Sequence, residues 1–566
     1  MRQGRCPEDR RMSPYFRAVF IPVLHAVRPF PPGRFHRLLP EEGQKSPASW
    51  NGGFHMPIPT RIGIIGGGAS AVCLLDALSR HDEVPQSVTV FDPSPHLWRG
   101  RAYQPDATVL RVNAPPEDMT VRAGDPAHFT RWLRTRTKML GAQTDHVDAR
   151  SGISFPPRAV YGDYLEQCAR SSLGRLAALG SRIRLVREAV TDLVREDGAL
   201  LARTAGRDAF ALDHVVLCVG TGTPADPHGL SGAPGFVADP YPVVRQLAGI
   251  GERDRVVVLG SGLTAVDVVL SLTAAGHNGE VVLASRRGVL PGVRQRPVEH
   301  ELRYFTAERF RAMAARGERL PLDDAVALMR TELSAAGSRF DAVVREIGGS
   351  GTEEPLARLR RQLDLVNDPD PGLRILQRAV PDTGPDVWPL LPEQDKTRLL
   401  RDHYRTIMSL CCPMPPASAA TLLEQADSGR LGVLRGVERI SPGPAGGFRV
   451  HGPDGVRHAD VVVNAVSPPA HRVPPAAAAL VDALTGRGLA SRHPRGGISV
   501  ARATSGLLTG GGTDRRVYAL GDLAAGSLFF TFGVPSLVDR AVDIADAIRR
   551  DVARSTVGFA DSMQPA

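Results

Sequence analysis

The chain has few cysteines, and none of them stands at a spacing that binds metal or forms a redox pair. Cys411 and Cys412 are adjacent, but no two cysteines are separated by two residues. This excludes zinc-ribbon and thioredoxin-type motifs, and no other metal site is indicated. Without a disulfide framework, a reducing cytoplasmic location is the expectation. The six cysteines are Cys6, Cys73, Cys168, Cys218, Cys411 and Cys412.

Long apolar runs are also missing. No stretch approaches the roughly 20 apolar residues that span a bilayer, so we expect no membrane insertion. Residues 1–55 are rich in Arg and Pro without a sustained period, which favours a disordered or non-native N-terminal extension. Arg10-Arg11 is typical of a twin-arginine signal, but the following apolar run is short and broken by Pro22. The alternative is that Met56 is the true start.

Aromatic residues are scarce, at 5% of the chain, and the basic charge is unevenly distributed. Residues 1–55 contain nine Lys/Arg and four Asp/Glu, and so supply +5 of the net charge of +9. No basic stripe with interleaved aromatics is present. We therefore expect no nucleic-acid partner.

The first glycine-rich turn follows the apolar strand 61–65 and has the pattern Gly-x-Gly-x-x-Ala. Its glycines allow a tight turn and the close approach of a pyrophosphate, which binds at the helix N-terminus. A second strand, 87–91, ends at Asp92, where an acid hydrogen-bonds ribose hydroxyls. An ordinary βα turn is the alternative. The predicted binding residues of this turn are Gly66, Gly67, Gly68, Ala69, Ser70 and Ala71.

A second turn of the same pattern follows the strand 256–259. Its second strand, 279–285, ends in Arg286-Arg287 instead of an acid. Arginine accommodates a 2′-phosphate, so the residues predict FAD in the first site and NADPH in the second. A solvated basic loop is the alternative for the two arginines. The predicted turn residues here are Gly260, Ser261, Gly262 and Thr264.

Segments between and after the two turns look like the surroundings of a flavin. A strand over 516–520 ends in Gly521-Asp522, and a helix follows. For His128 a position at a helix start or on the surface is favoured over catalysis. The other residues expected near the flavin are Tyr103, Asn113, Phe532 and Gly533.

Residues 60–550 resemble the FAD/NAD(P)-binding flavoproteins related to class B flavin monooxygenases. The resemblance rests on the two fingerprints, Gly100-x-Ala-Tyr103, Tyr161-Gly162 and Gly521-Asp522. The chain is most similar to the amino-acid N-hydroxylases, including the nitrosuccinate-forming aspartate N-oxygenases. It departs from their Asp-x-x-x-Leu-Ala-Thr-Gly-Tyr stretch at Cys218 and Val219. In such flavoproteins the aspartate equivalent to Asp522 hydrogen-bonds the ribityl chain.

The expected fold class is α/β, with two Rossmann-like dinucleotide-binding domains and a helical insertion. The FAD domain would be discontinuous, with the NADP domain inserted into it. Helical periodicity over 323–336, 354–365 and 395–410 predicts the insertion. The expected boundaries are an extension 1–55, an N-terminal FAD-binding segment 56–223, an NAD(P) domain 224–300, a helical cap 301–425, a C-terminal FAD-binding segment 426–550 and a flexible tail 551–566.

The resemblance implies an FAD- and NADPH-dependent monooxygenase of secondary metabolism, with O2 and a small molecule as partners. It would N-hydroxylate a small amino acid or amine through a C4a-hydroperoxyflavin, and the cofactor would carry the chemistry. Arginines suit substrate carboxylates, while a structural or surface role is the alternative for each. The candidate substrate contacts are Arg158, Tyr161, Arg294 and Arg296.

Two other functions remain open on the sequence alone. One is an NAD(P)H-dependent flavin oxidoreductase without oxygenation, and the other is a flavin-dependent redox-sensing or binding protein. Nothing in the residues names the substrate or the oligomeric state.

Overall fold

The structure is a computed structural model that describes residues 58–140, 146–466 and 473–562. The extension 1–55 and the alternative start at Met56 lie outside these residues. No helix in the described ranges is both long enough and apolar enough to cross a bilayer.

The strands form two larger sheets and two small antiparallel sheets within the described residues. They are β1 Ile58–Ile65, β2 Pro85–Phe91, β3 Arg182–Val186, β4 Val190–Glu196, β5 Ala199–Thr204, β6 Ala209–Leu212, β7 His214–Leu217, β8 Phe236–Val237, β9 Val256–Leu259, β10 Val281–Ser285, β11 Leu431–Arg435, β12 Arg439–Pro442, β13 Phe448–Gly452, β14 Gly455–Ala459, β15 Val461–Asn464, β16 Gly506–Thr509 and β17 Gly512–Ala519.

The helices cover the sheets and fill the long connection between β10 and β11. They are α1 Ala69–Ser79, α2 His128–Leu140, α3 Arg158–Ala178, α4 Val243–Gln246, α5 Leu263–Ala274, α6 Ala307–Ala315, α7 Leu322–Ala335, α8 Phe340–Thr352, α9 Pro355–Asp364, α10 Gly372–Val387, α11 Glu393–Arg398, α12 Tyr404–Cys411, α13 Pro416–Asp427, α14 Pro475–Gly486, α15 Ala525–Leu528 and α16 Val534–Ser562. Short 3₁₀ turns occur at Pro116–Met119, Leu365–Asn367, Trp388–Leu390 and Asp522–Ala524.

The first sheet has the order β16-β17-β7-β1-β2-β3, and all neighbours are parallel except β16 and β17. Its two central strands, β1 and β7, end in apolar stretches, 62–65 and 215–217, as expected for strands covered on both faces. Ile62 and Ile64 of β1 are fully buried. Helix α1 packs against α3 and α16. The carboxyl ends of β1, β7 and β17 therefore meet at one edge, where α1 begins.

The second sheet is parallel throughout, in the order β11-β10-β9-β15-β8. The C-terminal FAD-binding segment was expected to begin at 426, and this is wrong. Strands β11 and β15 belong to the second sheet, because β11 pairs with β10 and β15 pairs with β9. Apolar runs such as 461–464 suit either parallel sheet, so the pattern alone misassigned them. A flexible tail was expected from residue 551, but its first residues are helical, since α16 continues to Ser562.

Helices α6 to α13 form the insertion, and helical segments occur where the periodicity predicted them. A π-helical segment, Leu399–His403, separates α11 from α12. The guanidinium of Arg287 donates to the carbonyl oxygens of Arg401 at 3.0 Å and Asp402 at 3.3 Å. Arg287 therefore ties the end of β10 to the insertion.

Candidate active site

The first glycine turn has the geometry that its sequence predicts. Gly66 has a φ of 103°, and a Cβ at this position would overlap the carbonyl group of Cys218. Helix α1 begins after Gly68 with no side-chain cap and no acid in its first turn. Its first N–H groups therefore remain available to an anion, which fits a dinucleotide pyrophosphate.

Asp92 lies beside this turn at the end of β2. One carboxylate oxygen accepts the Gly67 N–H at 2.5 Å and the other accepts the Ser94 N–H at 2.6 Å. A Cβ on Gly521 would lie 3.0 Å from the Ser70 hydroxyl oxygen. The structure thus brings the first fingerprint together with the Gly521-Asp522 turn from the C-terminal region of the chain.

Asp522 is a half-buried carboxylate that has no hydrogen bond or ion pair among the described residues. Burial raises its pKa to about 6. Tyr404 of the insertion lies close enough for the Asp522 charge to raise the tyrosine pKa, although burial is the larger cause. An acceptor without a donor suits a polyhydroxyl chain, so the position fits the ribityl part of FAD.

Phe532 and Gly533 stand at the start of α16, close to this turn in the chain. The Phe532 ring is 40% exposed, and its centroid lies 4.5 Å from that of buried Phe530. Phe529 stacks on Trp388 of the insertion with ring centroids 4.7 Å apart. This aromatic group joins the insertion to the flavin side of the molecule.

Replacing Asp522 with Asn is expected to stabilise the apoprotein at neutral pH. The folded pKa of about 6 exceeds the ordinary value of 3.8, so the folded state holds the proton more tightly. Stability is therefore lost as pH rises through this interval, and the loss is complete above about pH 6. We expect D522N to raise the apoprotein Tm by about 2–4 °C at pH 7.5, with no gain near pH 4.

The same D522N change is expected to weaken FAD binding, because it removes a charged acceptor. Thermal melts with and without FAD measure both effects, with exposed Asp454→Asn as the matched control. If the D522N apoprotein melts below wild type at pH 7.5, the Asp522 charge is not destabilised by burial.

The second glycine turn leaves open space at its helix N-terminus. Gly260 has a φ of 122°, and a Cβ there would lie 2.6 Å from the Ala465 carbonyl oxygen. A Cβ on Gly262 would meet nothing within 4 Å, and α5 starts without a side-chain cap. The Ser261 hydroxyl donates to the Val289 carbonyl at 2.9 Å and so fixes the neighbouring loop. The space and the free N–H groups fit a second pyrophosphate.

Arg286 and Arg287, at the end of β10, differ in whether their side chains are free to bind a phosphate. Both are exposed. Arg287 is engaged with the insertion, whereas the Arg286 side chain has no hydrogen bond or ion pair in the described region of the chain. Arg286 is therefore the better candidate for a 2′-phosphate.

All four candidate substrate contacts have partners in the protein, and for two of them the partners indicate a structural role. Arg158 forms an ion pair with Asp267, their Nη1 and Oδ2 atoms 2.5 Å apart. The Tyr161 hydroxyl donates to the Met119 carbonyl at 2.9 Å, and its ring is fully buried against Tyr103. For both residues these contacts favour a structural role over contact with the substrate.

The two remaining arginines, Arg294 and Arg296, differ in burial and in their hydrogen-bond partners. Arg296 is exposed and donates to the Arg150 carbonyl at 3.3 Å. Arg294 donates through Nη2 to the Asn113 carbonyl at 3.0 Å, while its buried Nε has no partner among the described groups. Arg294 is thus the arginine best placed to receive an anionic substrate group. The His128 ring bonds the Tyr164 hydroxyl at 2.9 Å, in agreement with a non-catalytic place at the start of α2.

Sequence reasoning missed two half-buried carboxylates, Asp118 close to Arg294 and Asp382 close to Asp118. Burial raises the pKa of Asp118, and the Arg294 charge opposes that rise. Burial also raises the pKa of Asp382 to about 6, with Asp118 contributing. The nearest cation to Asp382 is Arg378, at 3.4 Å. No spacing rule could have found this group, because the 3₁₀ turn and α10 are brought together only by the fold.

Comparisons with known proteins support the predicted dinucleotide-binding fold. The FAD-NAD(P)-binding family model matches residues 63–222, which contain the first fingerprint. Among curated proteins, none matches the sequence significantly. The predicted FAD/NAD(P)-binding domain is thereby confirmed for this region of the chain.

Solved structures share the architecture at low sequence identity. The ornithine hydroxylase PvdA of Pseudomonas aeruginosa is 15% identical, with a TM-score of 0.50 over 87% of this chain and 99% of that enzyme. The ornithine N-hydroxylase of Kutzneria sp. 744 is 14% identical, with a TM-score of 0.51 over 88% and 100%. The cadaverine monooxygenase DfoA of Erwinia amylovora is 14% identical, with a TM-score of 0.53 over 88% and 95%. The predicted flavoprotein fold is confirmed.

Proposed function

We propose that the protein is an FAD- and NADPH-dependent monooxygenase that N-hydroxylates a small amino acid or amine. The observation that carries the proposal is the pair of uncapped glycine turns in one molecule, with Gly521-Asp522 beside the first. The family match over 63–222 and the fold shared with ornithine and cadaverine hydroxylases support it.

The chain's own residues bind and orient the two cofactors. When bound, the cofactors supply the redox chemistry, which is a hydride from NADPH and oxygen activation at FAD. The N–H groups at the starts of α1 and α5 bind the pyrophosphates. Asp92 accepts ribose hydroxyls and Asp522 accepts ribityl hydroxyls, while Arg286 binds the 2′-phosphate.

The surroundings of Arg294 support a substrate that carries an amine and a second polar group. The unpartnered Nε of Arg294 can donate to a carboxylate, and Asp382, which lies close to Asp118, can accept from an ammonium group. The aromatic group that contains Trp388 and Phe530 is buried and packs with Cys411, which lies close to Arg294. A small zwitterion or amine therefore fits better than a neutral ketone.

The decisive experiment is stopped-flow absorbance of the flavin-loaded protein. NADPH reduces the protein without oxygen, and the reduced protein is then mixed with O2 alone or with a panel of amines and amino acids that includes aspartate. We expect a transient species between the reduced and oxidised spectra that one substrate makes decay faster, with a hydroxylated amine recovered by mass spectrometry.

Other results would replace the proposal. Direct return to oxidised flavin with every substrate, without hydroxylated product, would identify a reductase that passes electrons elsewhere. Slow NADPH consumption under all conditions would identify a redox-sensing or binding protein. Hydroxylation of the amine that is coupled to O2 consumption is the result that only a monooxygenase gives.

A further inference from the structure

A buried ion pair joins the two dinucleotide-binding regions of the molecule. Arg158 is the first residue of α3, and Asp267 lies in α5, with side chains that are 14% and 6% exposed. Tyr241 donates to the same Asp267 oxygen and accepts from Arg158 at 3.0 Å. Burial lowers the pKa of Arg158, but Asp267 and Tyr241 raise it by more, so the guanidinium stays charged. We call these three residues the interdomain clamp.

The clamp begins close to the second cofactor site. Asp267 lies just beyond the first turn of α5, the helix whose N-terminus at Gly262 opens onto free space. The Thr264 side chain, in that first turn, lies close enough to the Tyr241 hydroxyl to lower its pKa, although burial raises that pKa by more. A tilt of α5 against the clamp would therefore move a dinucleotide bound at its N-terminus.

The clamp ends close to the first cofactor site. The Nε of Arg158 donates to the Arg111 carbonyl at 3.0 Å, in the segment that leads to Asn113. One turn further along α3, the Tyr161 ring meets Tyr103 with centroids 4.6 Å apart. One end of the clamp is thus anchored to the turn predicted to bind NADPH, and the other end to segments predicted to lie near the flavin.

Two further contacts hold the same boundary, one of them partly exposed and the other buried. Arg101 forms a bidentate pair with Asp239, with distances of 2.6 and 3.1 Å. Asp106 accepts the N–H groups of Val243 at 2.9 Å and Val244 at 3.2 Å. Because these contacts remain when the clamp is broken, its loss would shift the angle between the two regions without separating them.

We propose that the interdomain clamp sets this angle, so that the nicotinamide meets the flavin at hydride-transfer distance. Arg158, Tyr241 and Asp267 are then positioning residues, which touch neither reacting atom. Reacting groups must approach to about 3–3.5 Å, and a displacement of about 1 Å costs on the order of 100-fold in rate. The inference rests on the proposed function only in requiring that both cofactors bind.

The test is the Asp267→Asn variant, studied without oxygen as the flavin-loaded protein. At saturating NADPH we expect flavin reduction to slow by about 10–100-fold, whereas the Kd for NADPH changes by less than about three-fold. The long-wavelength absorbance that reports nicotinamide stacked on flavin should weaken in parallel. The matched control is Asp460→Asn, which breaks the exposed pair with Arg255 at the opposite end of the second sheet's strands.

A second variant covers the case in which D267N does not fold. Tyr241→Phe keeps the ion pair but removes the two hydrogen bonds that the Tyr241 hydroxyl makes with Asp267 and Arg158, and we expect an intermediate loss of reduction rate. The inference is wrong if folded D267N or Y241F reduces its flavin at the wild-type rate with unchanged absorbance, whatever happens to Tm. If wild type is reduced by NADPH but hydroxylates no amine, the proposed function fails while the clamp remains testable by the same variants. If NADPH does not reduce wild type, both proposals fall.

Discussion

Replacement of Gly66 with Ala is expected to give a protein that purifies without flavin. The φ of 103° is one that side-chain-bearing residues rarely adopt, and the added Cβ would overlap backbone atoms of Cys218. Strain of this kind costs about 1–3 kcal/mol even before the overlap is relieved by moving β7 or the turn. Since the turn forms the pyrophosphate site, we expect the FAD content to fall below about a tenth of wild type.

The FAD content is measured from the ratio of flavin to protein absorbance, before and after incubation with excess FAD. The matched control is Gly174→Ala in α3, where a Cβ would meet nothing within 4 Å. Circular dichroism distinguishes a folded apoprotein from an unfolded chain. A yellow G66A protein with wild-type stoichiometry would show that this turn does not hold the cofactor.

Replacement of Arg286 with Gln is expected to remove the preference for NADPH over NADH. The Arg286 guanidinium is exposed at the end of β10 and free of partners in the described region of the chain. A hydrogen bond to a charged group contributes about 1.5–3 kcal/mol, so KM for NADPH should rise by about 10–100-fold while KM for NADH changes little.

Steady-state kinetics with both nicotinamides measure this effect. The neighbouring Arg287→Gln variant is the comparison, because Arg287 already donates to two carbonyls of the π-helical segment. We expect R287Q to lower Tm and to change the NADPH preference less than R286Q. An unchanged preference in R286Q would place the 2′-phosphate elsewhere.

The features of the site that local geometry determines could be predicted from the sequence. The positive φ values of Gly66 and Gly260 are needed within single strand-turn-helix units, so a short motif is enough to find them. Asp92 follows from the end of the next strand for the same reason. These features depend on neighbours in the chain, and the structure shows them as expected.

The features that depend on distant partners could not be predicted. The sequence did not decide whether Arg158 contacts the substrate or has a structural role. The structure shows that it pairs with Asp267 of α5. Residues 431–435 were included in the C-terminal FAD-binding segment, because an apolar run does not encode that Leu431 aligns with Val281 of the second sheet. Asp118 and Asp382 gave no signal at all, since their neighbourhood exists only in the folded protein.

The nesting of one sheet inside the other has a consequence for how the chain is made. All strands of the second sheet lie between Phe236 and Asn464, whereas the first sheet lacks β17 until Ala519 has been synthesised. Domains fold as units while the chain emerges from the ribosome, so the module that starts later is complete first. Until then β7, whose residues are all buried in the finished protein, is an apolar edge strand without its neighbour. Such an edge pairs readily with other chains, so products that stop before β17 should aggregate even though one nucleotide-binding module is already whole.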